Sequence, residues 1–194
     1  NNIKSAWLNK LKIARKEKKK PSLDYKIITS WNGLMISGYV NAYKAINDEV
    51  FMNEAINAGE FIYSNLVKID GGLFHNYVNG QSKINGYLED YAMVIQASLD
   101  LYEITLNQLW IERALKLSEY VINNFSSSES ELFYFTSKKD EDLISRSVEF
   151  RDNVIPSSNS IMAKNLFRLY HYFDKEEYYE RSKNMSLSVT HEFE

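Results

Sequence analysis

The spacing of apolar residues along the chain predicts helices of two kinds. Between residues 90 and 105, Tyr91, Ile95, Leu99 and Tyr102 follow the four-four-three spacing of one helix face, and apolar residues fill most other positions. A helix that is apolar nearly all round is buried on nearly all sides. Residues 110–125 instead carry one apolar stripe, with charged and amide side chains mostly off it. This second pattern predicts an outer helix with one solvent-exposed face.

The two kinds of helix alternate, and the pair recurs three times. We predict buried inner helices at residues 32–46, 90–105 and 159–173, and amphipathic outer helices at 51–66, 110–125 and 178–193. The outer helices align without a gap, and Met35, Met93 and Met162 fall at one position of the inner helices. A β-like loop with a Leu–Phe pair follows the first two outer helices. The predicted repeat units are residues 31–80, 87–137 and 157–194, preceded by a basic helix within residues 1–20.

The length of this unit distinguishes between classes of helical repeat. Tetratricopeptide and ankyrin units have about 33–34 residues and HEAT units about 40–47, whereas this unit is near 60–70. An α/α toroid, in which inner helices surround an axis and the loops meet at one mouth, fits better. We therefore predict an all-α fold: a partial (α/α) toroid with about three helical hairpins, one preceding helix and short β-hairpin loops. Residues 1–194 would form a fragment of this single domain.

Composition argues against some classes of binding partner, but it does not identify one. The hydrophobic fraction of 44% supports a packed core without cross-links, and the net charge of −3 gives no reason to expect nucleic acid. We interpret the basic run at residues 10–20 as a solvated helix face, with an RNA or membrane patch as the alternative. No apolar run approaches the ~20 residues of a membrane span, so no membrane partner is expected.

The absence of cysteine excludes disulfides, a thiol nucleophile and thiolate-bound zinc. It also fits a reducing compartment, and we expect a cytoplasmic location. The chain starts without Met, on sequence typical of the middle of a helix, which indicates a piece of a longer protein.

Three ordered stretches carry a family resemblance. They are DYKIITSWNGLM (residues 24–35), GYLEDYAMVIQASLDLYE (86–103) and DNVIPSSNSIMAKNLFRL (152–169). They resemble the signatures of the family that comprises YyaL-type bacterial proteins and animal spermatogenesis-associated protein 20. Two positions depart from the family pattern: Tyr25 replaces a second acid, and Ser158 replaces a glycine. These departures weaken a direct transfer of catalytic roles.

The resemblance implies a fold and a partner domain. Full-length members carry an N-terminal thioredoxin-like domain followed by a toroid of the six-hairpin glycosidase type, and this chain resembles a later part of that toroid. The toroid resembles N-acylglucosamine 2-epimerases and unsaturated glucuronyl hydrolases in fold. The thioredoxin-like domain of the full-length protein would then be a partner of this one.

Four acids are candidate catalytic groups, because glycoside hydrolysis uses two carboxyl groups across the scissile bond. They lie beside the starts of inner helices: Asp24, Glu89, Asp90 and Asp152. A carboxyl group packed among aromatic rings would have a raised pKa and could serve as a general acid. Structural alternatives stay open: Asp24 can pair with Lys26, and Asp152 can brace a neighbouring arginine. Asn32, Asp90 and Asn159 can cap helices.

Five further residues are candidates for substrate binding. Trp31 and Tyr87 precede inner helices, where rings could stack on a sugar, although packing beneath a loop is the alternative. Asn32 and Asn159 could bind sugar hydroxyls. His75 is the one histidine in a mouth loop and could be the base of an epimerase. No histidine pair or histidine–carboxylate cluster has metal-ligand spacing, and no phosphate loop occurs, so we expect neither metal nor cofactor.

The sequence therefore leaves three functions open. The first is a carbohydrate-active domain that binds sugar or hydrolyses glycosides with paired carboxylates. The second is a non-catalytic scaffold that accompanies a thioredoxin-like domain. The third, which we rank below hydrolysis, is a sugar epimerase-like activity. Whether the domain is an enzyme is not decided by these patterns.

Overall fold

The computed structural model describes residues 2–140 and 145–190. Within these ranges there are seven helices: α1 (Asn2–Glu17), α2 (Thr29–Ile46), α3 (Glu49–Asn65), α4 (Leu88–Thr105), α5 (Gln108–Phe125), α6 (Ser158–Phe173) and α7 (Glu176–Ser188). Three short strands, β1 (Ile27–Ile28), β2 (Phe74–Val78) and β3 (Gln81–Asn85), form an antiparallel sheet in the order β1-β2-β3. The predicted all-α class is therefore confirmed, with a small sheet added.

Three helical hairpins follow one another along the chain. α2 packs on α3, α4 on α5, and α6 on α7, while α4 also contacts α2 on one side and α6 on the other. The inner helices end at the predicted residues, Ile46, Thr105 and Phe173, and begin one to three residues before the predicted starts. The last residues of the predicted third outer helix, 191–193, lie outside the described residues.

The central hairpin shows both predicted patterns of burial. Eleven residues of α4 are buried, among them Tyr91, Ile95 and Leu99, because α2, α5 and α6 surround this helix. In α5 the predicted stripe is buried, whereas Glu112, Lys116 and Glu119 are exposed. α4 therefore anchors the core, and α5 separates the core from solvent.

Each inner helix turns into its outer helix through the same two-residue corner. Asn47, Leu106 and Asp174 end α2, α4 and α6 in the left-handed conformation, with φ of 57°, 53° and 53°. Asn and Asp tolerate this conformation better than leucine does, so Leu106 is the strained member. The outer helix begins directly after the next residue, which in α3 and α5 is a side-chain cap, Asp48 or Asn107.

The opposite ends of the hairpins carry the long connections, and the two described in most detail differ. After α3 the chain forms strands β2 and β3, whereas after α5 the Leu–Phe loop forms a single bridge between Ser126 and Phe133. Asn159 accepts a hydrogen bond from the Phe133 N–H and donates one to its carbonyl, which satisfies both groups without a partner strand. In the described part of the second connection, the predicted hairpin is therefore reduced to this one antiparallel bridge.

Two apolar surfaces remain exposed. All described side chains of α1 are exposed, and α2 exposes Trp31, Leu34 and Met35 on one face.

In the part of the chain that the structure describes, no helix is both long enough and apolar enough to span a membrane.

Candidate active site at the start of the inner helices

A cleft of about 400 Å³ lies where α2 and α4 begin. Strands β1 and β2 form its edge, because β1 leads directly into α2 and β2 pairs with β1. The side chain of Thr29, at the start of α2, donates a hydrogen bond of 2.6 Å to the carbonyl of Phe74, at the start of β2, and so links these two elements. The residues that line the cleft are Asp24, Lys26, Ile28, Trp31, His75 and Glu89.

Asp90 lies buried beneath the cleft, with 0% of its surface exposed. Oδ1 accepts a hydrogen bond from the Ser30 N–H, and Oδ2 accepts one from the Tyr87 N–H, both at 2.9 Å. Nδ1 of His75 lies 2.9 Å from the same Oδ2. Burial raises the pKa of Asp90, whereas the three hydrogen bonds favour the ionised form. The three donors directed at its two oxygens stabilise the charged form of Asp90 against this burial.

His75 is held against Asp90 by strand β2, and its ring packs edge-on against Tyr87, with 4.9 Å between centroids. The hydrogen bond to Asp90 raises the pKa of His75 more than partial burial lowers it. In the neutral ring, Nδ1 donates to Asp90 and Nε2 carries the free lone pair. His75 lines the cleft, so this arrangement is that of a general base oriented by a buried carboxylate.

Glu89 lies beside this pair and is half-buried. Burial raises the pKa of Glu89, and the negative charges of Asp90 and Glu149 raise it further. A carboxyl group in such surroundings keeps its proton at a higher pH than an exposed one, as a general acid must. Trp31, 69% exposed, offers the aromatic surface of the cleft.

The structure brings together a histidine–carboxylate cluster that the sequence did not reveal. Ligand atoms of His75, Glu89 and Asp90 lie within 4.8 Å of one another, a grouping that could hold a metal ion. The two oxygens of Asp90, however, already accept hydrogen bonds from Ser30, Tyr87 and His75. The cluster is therefore better suited to moving protons than to holding a cation.

The other two predicted acids are held by neighbouring groups of the chain, and a catalytic role for either stays a prediction. Asp24 lines the cleft but pairs with Lys26 at 3.1 Å, and a hydrogen bond from the Lys26 N–H lowers the pKa of Asp24. Asp152 is not among the residues that line the cleft. It accepts hydrogen bonds from the Ser157 N–H and the Ser160 hydroxyl, and these lower the pKa of Asp152.

Among the predicted ligand-binding residues, Trp31 and His75 reach the cleft, whereas the two amides are engaged elsewhere. Nδ2 of Asn32 donates to the Ile28 carbonyl one helical turn back. Asn159 is buried and binds the backbone of Phe133 and Glu149. Tyr87 stacks on Phe135, with 5.0 Å between ring centroids. Binding of a ligand by Asn32, Tyr87 or Asn159 stays a prediction.

The prediction that these polar residues cap the inner helices needs correction. The N-cap residues are Ile28, Tyr87 and Ser157, so Asn32, Asp90 and Asn159 lie inside the helices. Asp90 alone reaches back to a free N–H at its own helix start, from the third helical position.

Sequence reasoning missed Glu149. This residue accepts a hydrogen bond of 2.8 Å from the Ser158 hydroxyl at the start of α6, and its charge acts on Glu89. It lies in an irregular segment, where no periodicity indicates which way a side chain points.

No protein-family model matches the chain. An uncharacterized protein of Caenorhabditis elegans is 34% identical over 178 residues, which cover 87% of the chain. Spermatogenesis-associated protein 20 is 34% identical over 174 residues in Rattus norvegicus and 33% over 177 in Homo sapiens, covering 84% and 86% of the chain. Over these residues the chain belongs to the spermatogenesis-associated protein 20 family. It spans 24% of the worm protein and 22% of the rat and human proteins.

Solved structures show the fold of this part of the family. The GH76 alpha-mannanase of Bacteroides thetaiotaomicron matches 91% of the chain with a TM-score of 0.72 and 17% identity, and the chain covers 46% of it. Cellobiose 2-epimerase from Bacillus thermoamylovorans matches 84% with a TM-score of 0.68 and 17% identity, and 44% of it is covered. The three hairpins are therefore part of an (α/α) toroid of the glycosidase and epimerase type.

Proposed function

We propose that the cleft binds a carbohydrate and that His75 and Glu89 move protons on it as base and acid. The observation that carries this proposal is the buried Asp90 that orients His75 beside Glu89. The exposed ring of Trp31 suits the apolar face of a sugar. Among proteins of similar fold are a D-mannose isomerase and a cellobiose 2-epimerase.

The geometry suits an aldose–ketose isomerisation. Nε2 of His75 takes the proton from the carbon next to the carbonyl of the open-chain sugar. The C–H electron pair then forms a carbon–carbon double bond, and the carbonyl oxygen takes the proton of Glu89. In the second half Glu89 removes the proton of the neighbouring hydroxyl, and His75 returns its proton to the former carbonyl carbon. Both groups end in their starting protonation states.

Asp90 stabilises the imidazolium ion that forms between these steps, without itself gaining the proton. One base on one face of the sugar moves a proton between neighbouring carbons. Inversion at a single carbon would require a second group on the opposite face. This difference places isomerisation ahead of epimerisation for the residues that the structure describes around the cleft.

Glycoside hydrolysis is the second candidate, because a second carboxylate acts on Glu89. The charge of Glu149 helps to raise the pKa of Glu89, so its carboxylate lies close enough to act together with that of Glu89. Glu89 would then protonate the leaving oxygen, and Glu149 would act on water or on the sugar. A GH76 alpha-mannanase is among the proteins of similar fold.

The test uses the full-length protein and a panel of hexoses and oligosaccharides. NMR in D₂O would report aldose–ketose conversion with deuterium on the product, and a reducing-sugar assay would report hydrolysis. We expect conversion to fall by about 10²–10⁴ in His75→Gln and Glu89→Gln, the usual contribution of a general acid or base. Glu60→Gln is the matched control, since Glu60 pairs with Arg113 on the surface.

Each outcome distinguishes between isomerisation, hydrolysis and a non-catalytic role. Loss of conversion in both variants supports isomerisation, whereas cleavage that depends on Glu89 and Glu149 but not on His75 supports hydrolysis. If no sugar binds, or if binding is the same in Trp31→Ala and Glu89→Gln as in the control, the cleft is not a carbohydrate site. The scaffold role would then be favoured.

A further inference from the structure

The charge around the cleft is unevenly distributed. Asp24 and Glu89 line it, Asp90 lies beneath it, and Glu149 is close enough to act on Glu89. Among the described residues that line the cleft, the groups able to carry positive charge are Lys26 and His75.

Both of these groups already have an acidic partner. Nζ of Lys26 lies 3.1 Å from Oδ2 of Asp24, and the Lys26 N–H also donates to Oδ1 of the same carboxylate. His75 is bound to Asp90 at 2.9 Å. An anionic ligand would therefore meet no unpaired cation among the described residues of this wall, and it would face the charge of Glu149 and, whenever Glu89 has given up its proton, that of Glu89 as well.

The proposed chemistry adds a further reason. Glu89 acts as an acid only if it holds its proton, and the nearby negative charges are part of what retains it. A sugar that brought its own carboxylate would add repulsion whenever Glu89 gives up the proton, so each turnover would be opposed.

We infer that the cleft takes a neutral or amino sugar and rejects sugars that carry a carboxylate or phosphate group. This inference rests on the proposed function and names its substrate class. A protonated amine on the sugar would be attracted by the surplus of carboxylates, so the expected order of affinity is amino sugar, neutral sugar, acidic sugar.

The test compares a hexose with its 2-amino analogue, its uronic acid and its 6-phosphate, titrated into the full-length protein by calorimetry at low and high salt. We expect the uronic acid and the phosphate to bind at least about tenfold more weakly than the hexose at low salt. The difference should shrink as salt screens the carboxylates.

A variant makes the electrostatic cause testable. Asp24→Asn removes one negative charge and leaves Lys26 without its partner, so the ratio of uronic-acid to hexose affinity should rise by about fivefold or more. Glu60→Gln removes one negative charge from a surface ion pair elsewhere and should leave that ratio unchanged. An equal rise in both variants would attribute the effect to net charge and overturn the role of the cleft.

Failure of this inference is distinct from failure of the proposed function. Uronic acids that bind as well as the hexose, with binding that Trp31→Ala weakens, would overturn the charge preference and leave the carbohydrate site standing. A protein that binds none of the four sugars would overturn both.

Discussion

At the scale of single residues, the carboxylate of Asp90 joins parts of the chain that are far apart in sequence. It accepts hydrogen bonds from the start of α2 through Ser30, from the start of α4 through Tyr87 and from strand β2 through His75. A buried group with several donors is stable only while all of them are satisfied. Asp90 should therefore matter both for folding and for the chemistry of the cleft.

Replacing Asp90 with Asn should lower the free energy of unfolding by about 1–3 kcal/mol, because the amide directs a donor at a backbone N–H. Urea denaturation followed by circular dichroism measures this change. The matched control is Asp48→Asn, at a cap where the carboxylate accepts from the Val50 N–H and where Asn is as good as Asp. A loss no larger than in the control would contradict the role assigned to Asp90.

The pH dependence of stability should report the pairing of His75. Its pKa is raised in the folded state by the hydrogen bond to Asp90, so the charged ring stabilises the fold. That contribution is complete below the ordinary pKa of about 6.5 and is lost as the pH rises through the folded value. Relative to His75→Gln, the native protein should lose unfolding free energy as the pH rises from about 6.5 through the raised folded-state pKa of His75.

This difference should also become smaller in the Asp90→Asn background, because the hydrogen bond to Asp90 is the largest cause of the raised pKa of His75. Equal pH profiles for the native protein and His75→Gln would show that the ring gains nothing from Asp90.

At the scale of helices and strands, the close approach of α2 to α4 sets the width of the cleft. A Cβ at Gly33 would lie 2.8 Å from the Met93 carbonyl carbon, a distance that side chains do not reach without movement. This contact lies close to the cleft: Gly33 follows Trp31 by two residues in α2, and Met93 follows Glu89 by four residues in α4. Glycine at residue 33 therefore helps to hold those two side chains on one cleft.

Gly33→Ala should lower the free energy of unfolding by about 1–3 kcal/mol, since α2 must move away from α4 to make room. Gly38→Ala is the control in the same helix, because a Cβ there meets nothing within 4 Å. The control should be neutral or stabilising by about 0.5–1 kcal/mol, as alanine favours helix. Thermal unfolding of both variants decides the point, and equal effects would exclude a steric cause.

The apolar periodicity predicted the helices well, because the spacing of apolar residues depends only on which helix face is buried. The last residues of α2, α4 and α6 were found from where the apolar pattern stops. The loops could not be predicted in the same way, since their backbone groups are satisfied by distant side chains. The pairing of Phe133 with Asn159, which replaces a second hairpin, is such a case.

The site was predicted as a set of separate residues, not as an arrangement. Trp31, His75 and Glu89 were each named as candidates, and all three line the cleft. The pairing of His75 with Asp90 depends on the register of β2, which local pattern does not determine. Glu149 was missed because its position depends on a tertiary contact, the hydrogen bond from the Ser158 hydroxyl, which local pattern does not determine either.

At the scale of the whole molecule, the hairpins leave an apolar face uncovered. Trp31, Leu34 and Met35, at one-turn spacing on α2, are 69%, 39% and 57% exposed. An apolar patch of this kind on a solvent-exposed surface favours association with another protein surface. The chain spans 22–24% of the relatives it matches.

Produced alone, the 194-residue chain should self-associate through this face. Leu34→Lys together with Met35→Lys should shift it toward monomer in sedimentation velocity at micromolar concentration, because charged side chains resist burial. Ile69→Lys, at an isolated exposed position, is the control and should leave association unchanged. A monomeric native chain would show that the face does not drive association.

The two ends of the hairpins also differ in how freely they can change. One end is closed by two-residue corners at Asn47, Leu106 and Asp174, where each inner helix turns directly into its outer helix. The other end carries the described stretches 66–87, 126–140 and 145–157, which include His75 of the cleft and Glu149 beside the start of α6. Exchange of these stretches between family members should therefore transfer ligand preference while the helical frame is kept, which makes this end the natural place for protein engineering.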